Sequence, residues 1–145
     1  MQNNIAVLLP YKDQFIKDNA GSASIWVKDF SKDSKLKKNT TIFGYTSNVS
    51  KTFDNFNYVN LKFSNFGVQS KNLKYVNKFI DVLNKKKFSL IEIHNRPSYI
   101  LHIEKNLPNQ KYILVIHNNP QTLRGAVTPK ERKHLIKLCS KITFV

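Results

Sequence analysis

The stretch KYILVIHNNPQTLRG, Lys111 to Gly125, carries the densest chemistry in the chain. Strand-forming residues from Tyr112 to His117 run straight into a His, two Asn, a Pro and an Arg. A second cluster, His94, Asn95 and Arg96, follows the apolar run LIEIHN. A third polar region, YKDQFIKDNAGS (Tyr11 to Ser22), follows IAVLLP. Imidazole, amide and guanidinium groups gathered at strand ends suit a ligand site. They also suit the plain capping of turns. In open α/β sheets, ligands bind beyond the carboxyl ends of the strands, near the point where the strand order reverses. Three such clusters on one edge favour the ligand-binding reading.

Those clusters require strands to carry them. Six short apolar runs are regularly spaced: Ile5 to Pro10, Thr41 to Thr46, Tyr58 to Phe63, Leu90 to Asn95, Tyr112 to Asn118 and Lys141 to Val145. Continuous Val/Ile/Leu runs fit strands of a parallel sheet covered on both faces. The third run alternates, as an edge strand does. Helical spacing fills the gaps. From Gly21 to about Ser34, Ile25, Trp26, Asp29 and Phe30 are expected to form the inward face. From about Gly67 to Lys86, Leu73, Val76, Ile80 and Leu83 recur at helical intervals. Pro97 opens a helix through about Lys105, with Ile100 and Ile103 inward. Thr128, Pro129 and Glu131 spell a capping box, after which Leu135, Leu138 and Cys139 face the core. SNVSKTFDNFN has no helical pattern and reads as a loop. The expected fold is α/β, a Rossmann-like open parallel sheet of about six strands with helices on both faces. Strands one, four and five are expected to be neighbours, so that the polar clusters line one cleft.

The chain of 145 residues reads as one domain, 1–145, large enough for a real core. Its net charge is +15, and only Arg96, Arg124 and Arg132 are arginines. Lysine supplies the rest, which fits an anionic partner. With abundant Asn, Ile and Phe it equally fits a coding bias that fills solvated positions with Lys. The single Cys139 forms no internal disulfide, and no CxxC or Cys/His spacing points to zinc. The first apolar run is too short for a signal peptide or a membrane span, so a cytoplasmic setting is expected.

Several chemistries lack their motif. NAGSAS opens a helix whose amide groups suit a phosphate or sugar hydroxyl, but it is neither GxGxxG nor a Walker A loop. There is no G-x-S-x-G. Carboxylates number nine; Glu92 lies within a strand, and nothing in the sequence pairs Asp13 or Asp18. Hydrolysis by paired carboxylates is therefore unsupported.

Taken together, these segments resemble the N-terminal domain of a bacterial glycosyltransferase of the GT-B architecture, family 4. LIEIHNRPSYIL is similar to the family's hxHxHNRP pattern. YILVIHNNPQTLRG with ERKHLIKLCSKITFV is similar to xxTxHDxxxxRG and a helix ending in ADxIxxVS. DNAGSASIWVKDFSK stands where the family often has GGxE. The resemblance covers essentially the whole chain. It implies a retaining transfer of a sugar from a nucleotide-sugar donor to a saccharide or lipid-linked acceptor, without a metal or other cofactor, the nucleotide-sugar being a substrate. It implies that His117 is the catalytic residue against the donor sugar and acceptor. It also implies that Asn95, Arg96, Asn118, Asn119 and Arg124 are acceptor or cleft residues, and that Gly21 and Ser22 lie near the donor phosphate. The chain departs from the pattern in having one Gly preceded by Ala20, and Asn118 where an acidic residue is usual. The family's second domain, with a basic pair and two Glu eight residues apart, has no counterpart in these residues. The chain, closing on a core strand at Val145, is thus expected to be the acceptor-side part of a longer protein and inactive alone. Peripheral contact with an anionic membrane is a further expectation. The competing reading is a stand-alone basic module for nucleic acid or another anionic partner. It is disfavoured because buried strands leave no exposed aromatic face for bases.

Overall fold

A computed structural model describes residues 4–145. Six strands, β1 (Ile5–Leu8), β2 (Thr40–Gly44), β3 (Asn57–Asn60), β4 (Leu90–His94), β5 (Tyr112–Ile116) and β6 (Cys139–Phe144), form one sheet in the order β3-β2-β1-β4-β5-β6. Every pairing is parallel. The α/β, Rossmann-like expectation holds, as does the adjacency of the first, fourth and fifth strands. The third strand is an edge.

Four helices, α1 (Ser22–Ser31), α2 (Lys71–Lys85), α3 (Pro97–Asn106) and α4 (Pro129–Leu138), complete the fold. Parallel strands joined by right-handed crossovers dictate where they lie. The step from β1 to β2 runs one way along the sheet and places α1 on one face. The steps to β4, β5 and β6 run the other way and place α2, α3 and α4 on the opposite face. The order reverses between β1 and β4, where a crevice opens at the carboxyl edge.

Side-chain alternation matches this division. Ala6, Leu8, Ile91, Ile93, Leu114 and Ile116 point to the three-helix face, against Val76, Phe79, Ile80, Ile100, Ile103 and Leu135. Phe43 meets Phe79 edge-on at 5.0 Å. Val7, Leu9 and Ile42 point the other way, against Phe15, Ala23 and Val27. Each of the Val, Leu, Ile and Phe side chains among them contributes about 1.5–3 kcal/mol relative to exposure.

Local signals set the helix ends. In α4, Thr128 Oγ1 accepts from the Glu131 amide at 3.2 Å, and the Glu131 carboxylate accepts from the Thr128 amide at 2.9 Å, so the expected capping box is present. Ser70 caps α2 through the Leu73 amide. Pro97 starts α3. Cys139 is both the C-cap of α4, its amide donating to Leu135 O, and the first residue of β6, and it packs half-buried against the core. The 47–56 segment contains one short 3-10 turn, Val49–Lys51, and a single bridge from Thr52 to Ile16, and is otherwise irregular; Asn57 already belongs to β3.

The inward face of α1 differs from expectation. Its buried residues are Ala23, Ser24 and Val27, while Ile25 and Phe30 are 45% and 67% exposed. Small residues let the helix sit close on β1. That rotates the bulky Ile25 and Phe30 outward and leaves Trp26 half-buried at the edge of the sheet.

Candidate functional site

His94 is the last residue of β4, and Glu92 lies two residues earlier on the same face, as strand alternation requires. In the β4–β5 register His94 stands opposite Val115. His117 is two residues beyond Val115 and so projects on that face too. The Glu92 carboxylate lies 2.7 Å from His94 Nε2, and His94 Nδ1 lies 3.0 Å from His117 Nε2. Three side chains from two adjacent strands therefore form one hydrogen-bonded line.

Burial increases along that line toward its centre. The His94 ring is fully buried and the Glu92 side chain is 17% exposed. Trp26 of α1 closes one wall, its ring 5.3 Å from that of His94 and 6.0 Å from that of His117, edge-on to the latter. Phe30 stacks on Trp26 at 4.7 Å. His117 opens into a groove of about 590 Å3 that Ser22, Trp26, Asp29 and Phe30 also line. Burial holds the His117 pKa below its ordinary value. The neighbouring His94 adds to that, and Asp13 acts in the opposite direction. That direction favours the neutral ring at pH 7.

Asn95 positions this arrangement from behind. It is buried, adopts a left-handed conformation (φ 55), and its side-chain oxygen accepts from the His117 amide at 3.3 Å. Its own amide donates to Val115 O at 2.8 Å. Asn tolerates that backbone region better than most residues. Asn95 thus locks the ends of β4 and β5 together, with its side chain turned toward backbone.

The other expected site residues disperse. Arg96 donates to the Asn95 carbonyl at 2.9 Å. Asn118 is exposed. Asn119 caps a single 3-10 turn, Pro120–Thr122, by accepting from the Gln121 amide at 3.0 Å. Arg124 lines a separate hollow of about 220 Å3 with Ser70, Asn72, Ser98, Tyr99 and His102, on the three-helix side. The structure therefore joins Ser22 and His117 in one groove and sets Arg124 in another.

Asp13 changes the reading of the first loop. Its carboxylate accepts from the Ala23 amide at 3.0 Å and the Ser24 amide at 3.1 Å, capping α1 from ten residues upstream. A Cβ on Gly21 would collide with that carboxylate, so Gly is needed there for close approach. Asp13 is paired after all, with helix amides. A donor phosphate near Gly21 and Ser22 would have to share or displace it. Asp18 pairs with Lys51 at 3.0 Å in solvent. Asp13→Ala should lower stability by about 1–2 kcal/mol, the usual cost of losing a side-chain cap. A urea titration measures it, and an unchanged midpoint would remove Asp13 from this role.

Two features escaped sequence reasoning. Glu92 looked like an incidental strand residue, although the i, i+2 spacing from Glu92 to His94 signals a shared face. Tyr11, Tyr45 and Phe63 also form an aromatic triangle, with ring centroids 5.2–5.5 Å apart, where β1, β2 and β3 end. With Gln14 and Lys71, Tyr11 and Tyr45 line a hollow of about 350 Å3. The signal is a Tyr in the first residues past each of the first two strands.

Among the described residues, no group of three or more His, Cys, Asp or Glu side chains is placed to hold a metal ion. No helix among them is long and apolar enough to cross a membrane. The sequence matches no protein-family model and no curated protein.

Proposed function

We propose that these residues form the acceptor-side, N-terminal part of a retaining glycosyltransferase that moves a sugar from a nucleotide-sugar to a saccharide or lipid-linked acceptor. The observation that carries this reading is His117. It stands at the mouth of a groove on the carboxyl edge of β5, backed by His94 and Glu92. A neutral imidazole in that position accepts a hydrogen bond from a sugar hydroxyl and steadies it for transfer. The likeness of HNRP and of the His117-to-Gly125 segment to family 4 motifs supports the same reading. The aromatic hollow beside Tyr11 and Tyr45 adds surface on which a sugar ring can lie.

In this reading a second domain grips the nucleotide, and the 145 residues alone bind donor weakly. The excess of lysine supports contact with an anionic membrane that presents a lipid-linked acceptor. The test is to incubate the complete polypeptide carrying these residues with nucleotide-sugars and oligosaccharide acceptors. Acceptor-dependent release of nucleoside diphosphate is expected. A complete polypeptide that consumes none of the common nucleotide-sugars would sink the reading.

A further inference from the structure

The line Glu92–His94–His117 constrains where hydrogens sit. An ionised carboxylate only accepts hydrogen bonds, and a neutral imidazole carries one N–H and one lone pair. With Glu92 as carboxylate, His94 Nε2 must carry hydrogen. In neutral His94 the lone pair is then on Nδ1, which faces His117 Nε2 at 3.0 Å. His117 Nε2 must donate, and the lone pair of His117 is left on Nδ1.

One added proton inverts that nitrogen. If His117 holds the charge, both of its nitrogens carry hydrogen. If His94 holds it, His94 Nδ1 donates to His117 Nε2, and the His117 hydrogen moves to Nδ1. Either way, Nδ1 changes from acceptor to donor. The charged or titratable groups around this line are few. Glu92 and His94 come from β4, Asp13 from the loop after β1, Asp29 with its partner Lys28 from α1, and the terminal carboxylate of the 145-residue protein from Val145, which lines the same groove. Glu92 alone among the carboxylates bonds directly to an imidazole of the pair.

We propose that Glu92 and His94 are positioning residues that fix His117 with its lone pair on Nδ1, so that a single proton taken up by the histidine pair switches that nitrogen from accepting to donating. This rests on the transferase reading only for its consequence. In the neutral state His117 receives a substrate hydroxyl, and in the protonated state it cannot. Transfer then falls on acidification with one protonation step, because the pair titrates as a unit.

The experiment needs no substrate. The 145-residue protein is labelled with 15N-histidine, and the ring nitrogens are followed by NMR from pH 8.5 to 5. At high pH His117 should carry hydrogen on Nε2 and a bare Nδ1, and Nδ1 should gain hydrogen in the step that charges the pair. Glu92→Gln removes the charge that favours protonation. It should lower the pair's apparent proton affinity about tenfold, one pKa unit. Finding hydrogen on His117 Nδ1 at pH 8.5, or an unmoved midpoint in Glu92→Gln, overturns the proposal. If Glu92→Gln fails to fold, the wild-type tautomer decides alone. The two readings fail separately: a wrong tautomer leaves sugar transfer standing, and absent transfer leaves the tautomer standing.

Discussion

His117→Ala in the complete polypeptide should reduce sugar transfer by about two to four orders of magnitude, the range for removing a positioned proton-handling side chain. The loss should fall on kcat more than on KM, since the imidazole contributes one contact to a groove with several walls. The fold should survive. His117 is only partly buried, and its backbone amide keeps its bond to Asn95 whatever the side chain. The stability cost is that of leaving the buried His94 Nδ1 without its partner, about 1–3 kcal/mol. Circular dichroism and a urea titration separate the two effects. A variant that unfolds outright would make His117 a structural residue of the strand end. A folded variant with full activity would exclude it from the reaction.

Gly125→Ala should cost about 2–4 kcal/mol, from left-handed strain added to overpacking. Gly125 adopts φ 91. A Cβ there would lie 2.7 Å from Ser98 N, 2.9 Å from Ser98 Cα and 3.1 Å from Pro97 C. These are backbone atoms of the first turn of α3, and they cannot rotate out of the way as a side-chain tip can. The same turn is tied to the loop by the Ser98 amide, which donates to Arg124 O at 3.1 Å. Gly125 therefore lets the segment after β5 lie flat against the segment after β4, which keeps Asn95 and His117 in register. Urea unfolding measures the stability, and a loss under about 1 kcal/mol would mean that the loop yields easily. Transfer should fall with the same substitution, because the loop and α3 must separate.

These residues show what the sequence could and could not disclose. Pro97, the Thr128 capping box and the Ile100/Ile103 pair act within one turn of helix, so neighbours in sequence suffice to read them. The strands were visible for the same reason, as was the parallel order implied by the alternation with helices. The HNRP and RG segments lie at the carboxyl edge of β4 and β5, where the Glu92–His94–His117 line forms. The Glu92–His94–His117 line needed the β4–β5 register, a long-range pairing that sequence spacing does not encode. The spread of Arg124 and Asn119 away from His117 needed it too. Turn capping takes Asn119, and the far face of the sheet takes Arg124. On α1, bulk does not mark burial. Close packing against β1 selects the small Ala23 and Ser24, and it turns Trp26 toward the histidines. Asp13 escaped because its partners are main-chain amides, which no residue pattern displays.

Sugar transfer with retention at the His117 groove is the proposed activity. The direct measurement is proton NMR of the anomeric centre while the complete polypeptide consumes a nucleotide-sugar in the presence of acceptor. A product whose anomeric configuration matches that of the donor is expected, formed by the wild type and not by His117→Ala. An inverted product, or equal turnover by the two proteins, would contradict it.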